Sequence, residues 1–301
     1  MMTPTRRTGI IAASAAALVV LGVGAFVLAQ PDPPAATATP SASASPSPTA
    51  SVTPTPSAAP YAAPDDATVA ALPEARYNAV IPALLGFASN DVPAELTAAY
   101  TIAADAPLFG DDRITPVARL AAKNFLGDST VVVPVRTDGD WSLVLTPARQ
   151  TLPSENPDAP AQSVGWIRSE LLTKAQDLAA HVVISVGDQT VSIVDASGDV
   201  RESFPAAVGA SETPTPTGVV GYVQARYLDP AQDQTVYPIT LSSMHSSAAD
   251  EPFGGQDGGL IGIHFYEERS GAISHGCVRV SGDAITALDT LPLGTPILIQ
   301  P

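Results

Sequence analysis

Residues 181–209 read HVVISVGDQTVSIVDASGDVRESFPAAVG, with β-branched residues alternating around two turn signals, Gly187-Asp188 and Ser197-Gly198. Alternation with a period of two puts one set of side chains on one face of a sheet, so this stretch predicts a strand meander. The extended runs VVGYVQARYL (219–228), VYPITL (236–241), LIGIHF (260–265) and TPILIQ (295–300) carry the pattern toward the C-terminus. One helix is expected among them. Ser281 or Asp283 can cap DAITALDTL (283–291), in which Ile285, Leu288 and Leu291 share a face. Residues 180–301 therefore read as a mainly β domain with a short helix after the strand that carries the sole cysteine.

Upstream, YTIAADAPLF (100–109), VVVPVR (131–136) and WSLVL (141–145) are short β-rich runs, the last two separated by the turn TDGD, and GWIRSELL (165–172) follows a polar loop. Hairpins of this length predict a small barrel over residues 98–175. Trp141 and Trp166 both fall in it and read as core packing. Residues 65–97 hold Val69, Leu72, Val80, Ile81, Leu84 and Leu85 at partly helical spacing, but Pro73 and Pro82 limit them to short helical pieces.

Residues 8–30 carry no charge and follow Arg6 and Arg7. At about 1.5 Å per residue such a helix covers the roughly 30 Å apolar core of a bilayer, and the arginines keep the N-terminus cytoplasmic. Residues 1–30 thus read as a cytoplasmic tip and transmembrane helix that puts the rest of the chain outside. A cleaved secretory signal is the alternative. Residues 31–64, rich in Pro, Ser, Thr and Ala, read as a disordered linker; as polyproline II, at about 3.1 Å per residue, the run up to residue 60 reaches roughly 90 Å. The chain has 30 acidic and 14 basic side chains, a net charge of −16, so nucleic acid is not an expected partner.

Export gives the cysteine its meaning. Secreted proteins use cysteines in pairs, and a single one reads as a reactive thiol or an intermolecular link. It lies in SHGCVRV (274–280). If that stretch is extended, His275, Cys277 and Arg279 line one face, and a cation there lowers the thiol pKa and favours the nucleophilic thiolate. Gly276 lets a carbonyl approach, so the amides of Gly276 and Cys277 can receive an oxyanion. His264, in LIGIHF, is the candidate base that a neighbouring strand would bring opposite Cys277.

SHGCVRV, the upstream Ile-His pair, PTPTGVV (214–220) and LPLGTPILI resemble the L,D-transpeptidase family, whose YkuD-type catalytic domain cross-links bacterial peptidoglycan. The resemblance implies a YkuD-like β-sandwich over residues 180–301. It implies Cys277 as nucleophile, acylated by a stem tetrapeptide with loss of D-alanine, and an amine of a second stem as acceptor. His264 becomes the general base, oriented by a carbonyl that falls on Phe265; His275, Ser274 and Arg279 support the site, and Arg279 can meet a substrate carboxylate. The partners implied are peptidoglycan stem peptides and, through the N-terminal helix, a membrane. No cofactor is required, because thiolate, imidazole and backbone donors suffice for acyl transfer. Residues 98–175 similarly resemble a bacterial SH3-like module.

This chain departs from the family at HFYEERSGAIS, where glycine usually follows the histidine and the run to the serine is longer. Alternatives stay open on that ground: a non-catalytic wall-binding protein, or an L,D-carboxypeptidase that uses water as acceptor. A sortase would share the exported anchor and the Cys-His-Arg chemistry. A metal site of His264, His275 and Cys277 is conceivable by ligand type but matches no familiar zinc spacing.

Overall fold

The structure is a computed structural model and describes residues 61–228, 230, 236–249 and 259–301. The expected anchor and residues 31–60 of the expected linker lie outside the described residues. Among those described, no helix is long and apolar enough to cross a membrane. The described residues all fall in one compact unit.

Helix α1 (Asp66–Ala71) is capped by the Asp65 carboxylate, which accepts from the Thr68 amide at 2.7 Å. Pro73 then disfavours helical backbone at Leu72, so the helical packing expected over 65–97 is confined to six residues. Eight strands follow: β1 (Leu85–Phe87), β2 (Ala98–Thr101), β3 (Ala106–Phe109), β4 (Pro116–Leu120), β5 (Pro134–Asp138), β6 (Trp141–Thr146), β7 (Gln162–Arg168) and β8 (Thr173–Asp177). They form an antiparallel sheet in the order β4-β3-β7-β6-β5, with β1 also on β7, and a separate β2-β8 pair. The TDGD turn closes the β5–β6 hairpin as expected: Asp138 faces Trp141, and Gly139 supplies a φ of 57°. Tyr61 stands edge-on to Trp141 at 5.3 Å and to Phe109 at 6.0 Å, with the Arg168 guanidinium 4.7 Å from its ring.

The second sheet contains the predicted meander, β9 (Ala180–Ser185), β10 (Thr190–Asp195) and β11 (Val200–Pro205), and then β12 (Ala207–Gly209), β13 (Val219–Tyr227), β14 (Ile239–His245), β15 (Leu260–Phe265), β16 (Gly271–Ser274), β17 (Val278–Val280) and β18 (Pro296–Gln300). Helix α2 (Gly282–Asp289) lies between the last two strands, and of its two candidate caps Ser281 is the one used, accepting from the Ala284 amide at 3.2 Å. Strand order is β11-β10-β9-β18-β13-β14-β15-β17-β12-β16. The chain is mainly β, as read from the sequence.

Alternation assigns the two faces of this sheet. Val182, Ile184, Val191, Ile193, Ile261, Ile263, Val278 and Val280 point into one core, and α2 buries Ala284, Ile285 and Leu288 against it. Val220, Tyr222 and Leu298 project from the other face into the core of the first sheet, beside Phe109, Leu143, Leu145 and Trp166. The central strands β13 and β18 are therefore covered on both sides.

At the end of β12 the chain folds back so closely that a Cβ on Gly209 would collide with the Thr213 carbonyl oxygen and the Thr215 amide nitrogen. These are backbone atoms with no rotamer to escape into. Gly209→Ala is expected to lower stability by about 3 kcal/mol or more, read as a drop in the urea unfolding midpoint at unchanged slope.

Candidate active site

Two parallel strands define the site. β15 pairs with β17 in the register Ile263–Val278, His264–Arg279 and Phe265–Val280. Ile261, Ile263, Val278 and Val280 turn into the core, so Gly262, His264 and Arg279 fall on the opposite face. Cys277 stands one residue before β17 with its sulfur on that same side. Sγ lies 3.5 Å from the Gly262 amide and 3.7 Å from the Leu260 carbonyl. The thiol thus rests on bare backbone of β15, two residues before His264.

The expectation of one extended strand through HGCVRV is corrected by the structure. β12 runs between β16 and β17, parallel to one and antiparallel to the other, so the chain must reverse over residues 275–277. Gly276 makes the reversal possible with a φ of 98°, a backbone that side chains rarely tolerate. His275 consequently leaves the face that Cys277 and Arg279 share and is exposed at the turn. Ser274 is buried and structural: its hydroxyl donates to the Cys277 carbonyl across the turn, while its own carbonyl accepts from the Ala210 amide at 2.8 Å and the Thr213 hydroxyl at 3.0 Å.

The electrostatics also differ from the expectation. Arg279 and the Gly262 amide do pull the Cys277 pKa down, but burial outweighs both and pushes the thiol above its ordinary range. Burial likewise holds His264 below the usual histidine range; the Phe265 carbonyl opposes this and Arg279 adds to it. The resting pair is neutral thiol and neutral imidazole. His264 Nδ1 donates to the Phe265 carbonyl at 3.0 Å, which leaves Nε2 as the proton acceptor. Arg279 stacks on the Tyr266 ring at 4.2 Å, Tyr266 stands edge-on to His264 at 6.1 Å, and the buried Nε of Arg279 has no partner among the described residues. Among the same residues no group of His, Cys, Asp and Glu could hold a metal ion.

A family described as YkuD, the L,D-transpeptidase catalytic domain, matches residues 179–299. Residues 179–299 are a YkuD domain. No curated protein matches the chain. Solved structures similar to it include an L,D-transpeptidase from Mycobacterium tuberculosis H37Rv, at 17% identity over 57% of this chain and 90% of that one with a TM-score of 0.35. Another is an L,D-transpeptidase from Mycobacterium smegmatis, at 19% identity over 57% and 91% with a TM-score of 0.31. A third is the Ldtfm–avibactam carbamoyl enzyme, at 23% identity over 41% and 49% with a TM-score of 0.29, so the chain spans about half the length of that relative.

Several residues that position Cys277 and His264 were not singled out from sequence. The Thr215 hydroxyl donates to the Gly276 carbonyl at 2.8 Å and accepts from the Gly209 amide at 2.8 Å. With Thr213 it clamps the turn that carries the thiol, and the Thr-Pro alternation of residues 213–217 is the one signal that marks both. Gly262 and Tyr266 had no signal beyond their distance from His264. His245 is fully buried at the end of β14, where Nε2 donates to the Tyr77 carbonyl at 2.8 Å, and Arg149 donates to the Ser246 carbonyl at 3.0 Å. These bonds join the first sheet and its preceding segment to the catalytic sheet beside the site.

Burial and the Arg149 charge depress the His245 pKa to about 3. As pH falls the unfolded chain takes up this proton first, so stability is complete above about pH 6.5 and declines below it. The slope is about 1.4 kcal/mol per pH unit, continuing to about pH 3. Urea midpoints measured at successive pH values should show that slope, and His245→Gln should flatten it. For the thiol, the rate of iodoacetamide alkylation should still be climbing at pH 9, and Arg279→Gln should move the rise to higher pH.

Proposed function

We propose that this chain is a peptidoglycan L,D-transpeptidase acting through a Cys277 acyl-enzyme. The observation that carries the reading is the placement of the Cys277 sulfur against β15, on the face that presents a His264 imidazole whose Nε2 is free to accept a proton. A neutral pair suits a base that works during attack rather than before it. His264 takes the Sγ proton as sulfur adds to the carbonyl that precedes the terminal D-alanine of a stem tetrapeptide. The developing oxyanion faces the amides of Gly276 and Cys277. The C–N bond then breaks, the imidazolium returns its proton to the leaving amine, and D-alanine departs. An amine of a second stem attacks the thioester, His264 removes its proton, and sulfur leaves to be reprotonated.

Arg279 supplies the complementary charge for a substrate carboxylate. Its guanidinium is fixed by an aromatic face rather than by an acidic side chain, and its buried Nε is unsatisfied. The uncharged run at residues 8–30 and the Pro-rich stretch after it support a membrane-tethered catalytic domain on the outer side of the membrane.

Incubation with a disaccharide tetrapeptide, followed by mass analysis, tests the reading. Cross-linked dimer lacking one D-alanine supports transfer to an amine; tripeptide alone assigns water as acceptor. A carbapenem should add its mass to Cys277 in the wild type and not in Cys277→Ala. Absence of any adduct or product would leave only a wall-binding role. His264→Ala should lower kcat/KM by about a hundredfold or more, whereas His275→Ala, which alters an exposed side chain, should change it less than about fivefold.

A further inference from the structure

Strand β14 is irregular beside the site. Leu241 pairs with Gly262 and His245 with Leu260, so residues 242–244 of β14 all face the single residue Ile261 of β15. Extra residues of this kind can slide along a strand unless something pins them, and a slip carries the neighbouring strand out of register. On the β15 side the Ser242 hydroxyl fills the gap, donating to the Ile261 carbonyl at 2.7 Å and accepting from the Met244 amide at 3.1 Å. Four further hydrogen bonds grip residues 243–246 from outside the catalytic sheet. The Ser243 hydroxyl donates to Gln162 Oε1 at 2.6 Å and the His245 amide to the Ala161 carbonyl at 2.8 Å. His245 Nε2 donates to the Tyr77 carbonyl at 2.8 Å, and Arg149 to the Ser246 carbonyl at 3.0 Å. Ser243, His245 and Ser246 are each at most 2% exposed, so water does not stand in for these partners.

We infer that, granted the transpeptidase reading, His245 is a positioning residue for the reaction of Cys277: its side chain locks the β14 irregularity to the segment before the first sheet and so fixes where β15 seats the sulfur. His245 is the first residue paired after the irregularity, so its bond decides where regular pairing resumes. An apolar side chain would fill the same space at less cost; the imidazole adds one aimed N–H. From there the path to the sulfur is short. His245 pairs with Leu260, whose carbonyl lies 3.7 Å from Sγ, and the Gly262 amide lies 3.5 Å from the same atom. A one-residue slip of β15 would turn His264 to the other face of the sheet, away from Cys277.

Two rates at Cys277 test this, both measured on the full chain far below its melting temperature. In His245→Phe, which fills the space without the N–H, carbapenem acylation should slow about tenfold or more as alignment is lost. Iodoacetamide alkylation at about pH 8 should instead quicken about threefold or more, because the loosened seat admits water to the sulfur. In tetrapeptide turnover the loss should fall on kcat, with KM within about twofold. His245→Gln, whose amide nitrogen stands in for Nε2, should hold both rates within about threefold of wild type. Val191→Ala trims the same core from β10, four strands from β14, and should lower the melting temperature without moving either rate. Where His245→Phe does not fold, Ser243→Ala, which removes the bond to Gln162, should move both rates in the same directions by about threefold. Rates unchanged in the folded variant, or changed as much by His245→Gln or Val191→Ala, overturn the inference and leave His245 a stabilising residue only. Absence of acylation in the wild type would retire the transpeptidase reading, and the alkylation rates would still decide whether His245 sets the seat of the sulfur.

Discussion

The site depends on a chain reversal that only a clamped glycine permits. β12 wedges between β16 and β17, which forces residues 275–277 around its end, and Gly276 takes the left-handed backbone that this requires. Such a turn would be loose by itself. Hydrogen bonds from Ser274, Thr213 and Thr215 hold it at both ends, and through Thr215 the same network reaches Gly209. The sulfur is positioned by this network and by the β15 backbone on which it rests.

Burial then decides the chemistry. A thiol set against apolar strands resists ionising more than Arg279 encourages it, and the same environment keeps His264 uncharged. The consequence is an uncharged pair at rest, with the imidazole tautomer set by the Phe265 carbonyl.

Much of this was legible in the sequence where the determinants are local. Strand alternation over 181–209, the Asp-Gly turn before Trp141 and the cap of α2 each depend on residues a few positions apart, and each forms where expected. Cys277 and His264 stood out in the sequence by residue type, and the structure places the Cys277 sulfur against the same strand as His264, at the Gly262 amide. The reversal at 275–277 did not stand out, because its cause is the three-residue strand β12, about seventy positions upstream, whose pairing is invisible to any local pattern. The raised thiol pKa was hidden for the same reason: a neighbouring arginine can be read from sequence, whereas burial is a property of the assembled sheet. The Tyr77–His245 bond and the docking of Trp166 and its neighbours against Tyr222 are likewise long-range.

The ring cluster at Tyr61 has a mechanical consequence. Force applied to the chain ahead of Tyr61 enters the protein at Trp141 and Phe109, on the smaller sheet. Each of those aromatic contacts is worth about 1 kcal/mol, much less than the cooperative ladders behind them. The rings therefore yield first under a pull, and the strands that seat the sulfur stay in register.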